Sequence, residues 1–189
     1  MAEPRLTEQT RRVFPSLSDQ ELQWFLGMIV VLPDCRRALT HVHHTKLNNY
    51  IASGPLDAFA SVAEHAYRLP ELSETVKQRV SKLDAMQLAP LMKTGMRDAA
   101  VERVVELYCG VRNWGDANFV ATNLLMPLLA SLNEQHIERI IQAPAKQGAD
   151  LQGSRGFSEF LDKIRSEKVI AAGELDQLLR DNGLGHYIP

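Results

Sequence analysis

The sequence predicts an all-α fold built from stacked antiparallel helix pairs. Apolar residues recur at helical spacing: Val101, Val104, Val105 and Tyr108 fall at i, i+3, i+4 and i+7, with Glu102, Arg103 and Glu106 turned elsewhere. Ile137, Ile140 and Ile141 repeat the pattern with Glu138 and Arg139 outside it. Several segments open with the same cap chemistry: a leucine, a residue of N-cap type, then an acid. Strict apolar–polar alternation, the mark of a half-buried strand, is hard to find, and the β-branched pair Val30-Val31 lies inside a longer helical run.

The elements follow in order. Leu6-Thr7-Glu8 opens a helix over 6–14. Ser18 and Glu21 make a capping box for a helix over 18–31, with Leu17 placed as a hydrophobic staple. In such starts the cap side chain satisfies an orphan backbone N–H, and the acid sits at the positive end of the helix dipole. A helix over 34–52 puts Leu39, Val42, Leu47 and Tyr50 on its buried side. Gly54-Pro55 starts 56–68, with Pro55 suited to the first helical position. Leu72-Ser73-Glu74 reads as the start of 73–83, and helices over 85–93 and 97–111 follow. Asn113-Trp114-Gly115-Asp116 reads as a loop before a helix over 117–131, and Leu132-Asn133-Glu134 as the start of 134–146. The longest and most glycine-rich connection, Gly148 to Gly156, leads to 155–167; the last helix, 172–181, stops at Asn182-Gly183.

Composition bounds the function. The 189 residues are 45% hydrophobic and 23% charged with a formal net charge of -2, which excludes wholesale disorder and a strongly cationic nucleic-acid binder. One domain over 1–189 fits this length, with 1–16 as an N-terminal arm or cap and 183–189 as a flexible tail whose apolar residues can dock on the body. The opening residues lack the apolar stretch of a secretory signal. The apolar runs from Leu22 to Leu32 and from Phe119 to Leu132 fall short of the about 20 residues a bilayer span requires. Cys35 and Cys109 are too few for a disulfide framework and read as reduced thiols in a cytoplasmic protein without membrane contact.

A weak repeat is present. Val101-Glu-Arg-Val104-Val105 maps onto Ile137-Glu-Arg-Ile140-Ile141, and the same offset carries Leu124-Leu125…Leu128 onto Phe160-Leu161…Ile164. The unit is a helix, a glycine-containing loop and a second helix. Over Ala99 to Arg165 it resembles the degenerate helical repeats of the HEAT and armadillo type. The resemblance implies a curved superhelix that binds another macromolecule. A compact helical bundle is the alternative architecture.

Chemical motifs are sparse. Gly153-Ser154-Arg155-Gly156 is no phosphate-binding P-loop, since no Lys-Ser/Thr follows; it is either an anion cradle at a helix start, aided by Arg155, or a plain interhelical loop. Cys35 sits beside Arg36 and Arg37, a setting that lowers a thiol pKa, and equally suits a helix interior. Arg37, His41, His44 and Asn48 form one polar stripe on helix 34–52. His41 and His44 could approach a metal ion only with a third ligand from elsewhere. Arg37 followed by His43 resembles the Arg-x(4–6)-His motif of the HEPN ribonucleases, which implies acid–base work for His43 and phosphate stabilisation by Arg37; Ala38 stands where that family usually has a polar residue. The third reading of the stripe is a solvated or partner-binding face. Trp114 is a candidate interface anchor, with Asp116 beside it.

These observations point to a non-enzymatic cytosolic scaffold, adaptor or regulatory subunit that binds another protein and needs no cofactor or metal. Trp114, Arg37, His41, His44, Asp116 and Arg155 are its candidate binding residues. The alternative is a HEPN-like, metal-independent ribonuclease using Arg37 and His43. Near-neutral charge argues against RNA as the partner.

Overall fold

Proline, capping side chains and apolar spacing set where each helix begins and which face it buries. The computed structural model of the chain describes residues 18, 21, 41–93, 95–147 and 155–189. No strand occurs among them, and the chain is all-helical there. The expected arm over 1–16, helix 6–14, most of 18–31, the first part of 34–52 with Cys35 and Arg37, and the connection 148–154 lie outside the described residues. Ser18 and Glu21 do form the expected box: the Ser18 N–H donates to Glu21 Oε2 at 2.8 Å, and the Glu21 N–H points back to Ser18 Oγ at 3.4 Å.

The chain divides into two compact units, Met1–Lys82 and Leu83–Pro189. The first contains α1 (His41–Ser53), α2 (Leu56–Tyr67) and α3 (Pro70–Val80), and each packs on the other two. Leu47, Tyr50 and Ile51 from α1, Phe59, Val62, Ala63 and Ala66 from α2, and Leu72, Val76 and Val80 from α3 form its core. The third helix corrects the sequence reading. It starts at Pro70, not Ser73, because proline at the first helical position is already set for the turn, and Leu72 is then buried inside it. Pro55 also stands one residue earlier than expected, at the N-cap of α2.

One side chain joins the three helices. The Arg79 guanidinium on α3 donates to the Ile51 and Gly54 carbonyls, both at 2.6 Å, at the carboxy-terminal end of α1. It also lies 4.3 Å from the centre of the Phe59 ring on α2. It thus satisfies orphan carbonyls with a charge of the sign the helix dipole favours. Burial pulls its pKa below the usual arginine value, which leaves it fully charged at neutral pH.

The second unit begins with α4 (Ala85–Leu88), which runs into a 3-10 turn (Ala89–Lys93). Asp84 caps it by accepting the Gln87 N–H at 2.9 Å, while Gln87 Oε1 accepts the Asp84 N–H at 3.0 Å. Then come α5 (Arg97–Gly110), α6 (Trp114–Val120), a π turn (Ala121–Leu125), α7 (Met126–Leu128) and a 3-10 turn (Leu129–Ser131). The helix after α5 starts at Trp114, where a loop was expected, because the Asn113 side chain caps it. Pro127 accounts for the π turn. Its ring would crowd the carbonyl four residues back, and the Met126 N–H instead reaches five back, to Ala121.

The unit closes with α8 (Glu134–Gln147), α9 (Arg155–Glu167) and α10 (Ala172–Asp181). α5 packs on α8, and α6 with its π turn packs on α9. The repeated positions all face the core: Val101, Val104 and Val105 with Ile137, Ile140 and Ile141, and Leu124, Leu125 and Leu128 with Phe160, Leu161 and Ile164. The expected stop of α10 is a Schellman cap, with Gly183 at φ 73°, the Leu184 N–H on the Leu179 carbonyl at 2.8 Å and both leucines buried. The tail docks. Arg165 Nη2 donates to the Tyr187 carbonyl at 3.0 Å, and the Tyr187 ring meets Phe157 edge-on at 5.3 Å.

α9 ends in the same cap geometry, but with a lysine in the left-handed position: Lys168 has φ 53°, and the Val169 N–H bonds the Ile164 carbonyl. Lys168→Gly therefore stabilises the fold by about 1 kcal/mol, read as a raised urea midpoint at unchanged m-value. Arg79→Lys retains the charge but loses the two-carbonyl fork, and costs about 2 kcal/mol by the same measurement.

Candidate functional site

A groove of about 660 Å³ opens on the second unit between α4, α5 and α6. Its apolar lining comes from Met86 on α4, Leu107 on α5, Val111 in the connection, and Phe119 and Val120 on α6. Its volume lies within the range typical of binding clefts. Met86 is there because the short α4 buries Leu88, with Leu83 buried just before it; the methionine is left 69% exposed. Arg103 ties the back of the groove, its Nε donating to the Leu83 carbonyl at 2.8 Å and its Nη1 pairing with Glu106 at 3.2 Å.

The rim is charged. Asp84, Glu106 and Asp116 supply three carboxylates against Arg103 and Arg112. Two of the acids hold helix starts. Asp84 caps α4, and Asp116 locks the start of α6: its N–H donates to Asn113 Oδ1 at 2.9 Å, and its carboxylate accepts from Asn113 Nδ2 at 2.7 Å. The far end of α5, with Gly110 and Val111, also lines the groove and carries no basic residue in its last turn.

The residues singled out in the sequence fall in different places. Asp116 lines the groove, and Trp114, two residues before it, is 63% exposed at the first position of α6. Arg155 is not part of the groove; it pairs with Glu159 at 2.6 Å on the surface of α9. Arg37 lies outside the described residues, as do the side chains of His41, His43 and His44. Asn48, the last residue of their stripe, accepts a hydrogen bond from Thr75 Oγ1 at 2.5 Å, so that end of the stripe meets α3. Of the groove's lining the sequence reading singled out Asp116 alone; Met86, Leu107 and Phe119 are among the residues it did not. The Asp84-x-x-Gln87 capping box was the available signal, since it places Met86 within a helical turn.

The anion-cradle reading of the Gly153–Gly156 segment meets competition at its described end. The Gly156 N–H donates to Asn118 Oδ1 at 2.8 Å, and Arg155 is paired with an acid. A second polar cluster joins α5 to α8. His136 Nδ1 accepts the Asn133 N–H, so the ring proton sits on Nε2 and donates to Glu102 at 2.8 Å; Arg139 holds the other Glu102 oxygen at 2.9 Å. The bond from Arg139 first, and that from His136 second, hold the Glu102 carboxyl below the usual range. What the cluster adds to stability is therefore present above the unfolded-state carboxyl pKa and lost as pH falls through the lower folded value. Among the described residues no group of three or more His, Cys, Asp or Glu could hold a metal ion, and no helix is long and apolar enough to cross a membrane.

Gly156 marks a close approach. A Cβ there would stand 2.9 Å from Thr122 Oγ1 and 3.1 Å from the Asn118 carbonyl oxygen. Gly156→Ala pushes α9 off α6 and costs about 1–3 kcal/mol in denaturant unfolding. No family model, curated protein or solved structure matches the chain.

Proposed function

We propose that the chain is a non-enzymatic protein-binding module, a scaffold, adaptor or regulatory subunit, that engages its partner through the α4–α5–α6 groove. The observation that carries this reading is an apolar groove lined by the exposed Met86, with Trp114 exposed two residues before Asp116 of that lining; these are the exposed large hydrophobic residues among those described. Leaving such side chains in water forgoes about 25 cal/mol for each Å² that a partner would cover. Methionine and aromatic residues are also the types enriched where proteins dock. The rim carboxylates are engaged in helix caps and an ion pair, which suits docking better than proton transfer.

The stacked-pair architecture belongs to the same proposal. It is supported by α5 lying on α8 and α6 on α9, with buried residues matched at the sequence offset of the repeat.

The test is affinity purification of the full chain from nuclease-treated lysate of its source cells. A stoichiometric protein partner is expected with the unaltered chain. At least tenfold less of it is expected with a Met86→Ser, Trp114→Ala double variant whose unfolding free energy stays within about 0.5 kcal/mol. Undiminished capture by the double variant, or recovery of RNA in place of protein, overturns the reading.

A further inference from the structure

We infer that the occupant of the groove is an amphipathic helix of another protein, which lays an apolar stripe against Met86, Leu107 and Phe119 and sets lysine or arginine against the acidic rim of Asp84, Glu106 and Asp116 and the carboxy-terminal end of α5. The inference rests on the docking reading above and adds the shape and charge of the partner. Shape follows from backbone hydrogen bonding. An extended segment needs an outside partner for its N–H and C=O groups, usually a sheet edge, and the second unit has no strand among its described residues. The floor is made of aliphatic, methionine and phenylalanine side chains, which offer no such bonds. A helix satisfies its own backbone and brings an apolar stripe to a groove walled by helices.

Charge follows from the rim. Arg103 is held by the Leu83 carbonyl and by Glu106, which leaves Arg112 as the other basic residue of a lining that holds two further carboxylates, Asp84 and Asp116. The fourteen-residue α5 points its carboxy-terminal end into the groove, and that end carries partial negative charge with no basic side chain in its last turn to offset it. The opposing helix starts are weaker sources: α4 has four residues and an acid, Asp84, at its cap, and α6 has seven residues with Asp116 in its first turn. The balance is negative, and the partner is therefore basic around its apolar stripe.

The probe is a displayed library of helix-forming peptides of about 18 residues with randomised faces, selected on the full chain. The expected winners carry apolar residues at i, i+3 or i+4, and i+7, with an excess of Lys and Arg. They bind Met86→Ser and Glu106→Lys at least tenfold more weakly than the unaltered chain. They bind Glu138→Lys, which makes the same change in net charge on an exposed face of α8, equally well. Winners that are acidic, or that lack the helical stripe, yet still depend on Met86 overturn the basic helix while leaving the groove a docking site. Winners indifferent to both groove variants, or no winners at all, overturn the groove as the site of a helix.

Discussion

The second unit depends on how closely α9 can approach α6. With no side chain at Gly156, the start of α9 comes within hydrogen-bonding reach of Asn118, whose amide oxygen serves as its cap from another helix. A cap supplied from across an interface fixes position as well as satisfying a donor. It holds α6 from behind, while the Asn113–Asp116 pair holds its start and the Val–Ile face of α5 against α8 holds the opposite wall. The groove is thus bounded by helices that are each anchored elsewhere. A partner docking there, as proposed, would meet a preformed surface and spend little of its binding free energy on ordering it.

The first unit solves a similar problem with a charge. The carboxy-terminal carbonyls of α1 would otherwise point at the body of α3, and the Arg79 guanidinium gives them donors while its flat face covers Phe59. A guanidinium does this because it can fork to two acceptors and stack at once.

What could be read from the sequence follows the length and periodicity of each element. Helices α5, α8, α9 and α10 lie within a residue or two of expectation because their apolar stripes are long and regular, and Asn182-Gly183 announced its Schellman cap. The starts were harder where two signals competed. Ser73 has cap chemistry, but Pro70 three residues earlier is compatible with a helix and Leu72 gains burial from it. Asn113 to Asp116 read as a loop because Gly115 weakens helical propensity, yet the Asn113 cap and its partner Asp116 outweigh it. The site divides the same way. Asp116, singled out as the acid beside Trp114, lines the groove. Met86, Leu107 and Phe119 were not, since a groove is a property of three helices and no local pattern encodes it. The Arg37–His44 stripe falls on residues or side chains outside those described.

The π turn bears on how α6 is to be read. It holds one residue more than the α-helical turn it replaces, and each residue advances the helix by roughly 100°. A helical wheel drawn straight through from Trp114 to Ser131 therefore assigns the wrong azimuth to everything on one side of Ala121. With Leu124, Leu125 and Leu128 seated in the core, that surplus residue sets the direction in which Asp116 and Phe119 project. Chain length in this turn acts as a dial on the groove: losing a single residue there would swing its α6 wall around the helix axis without altering one side chain that lines it.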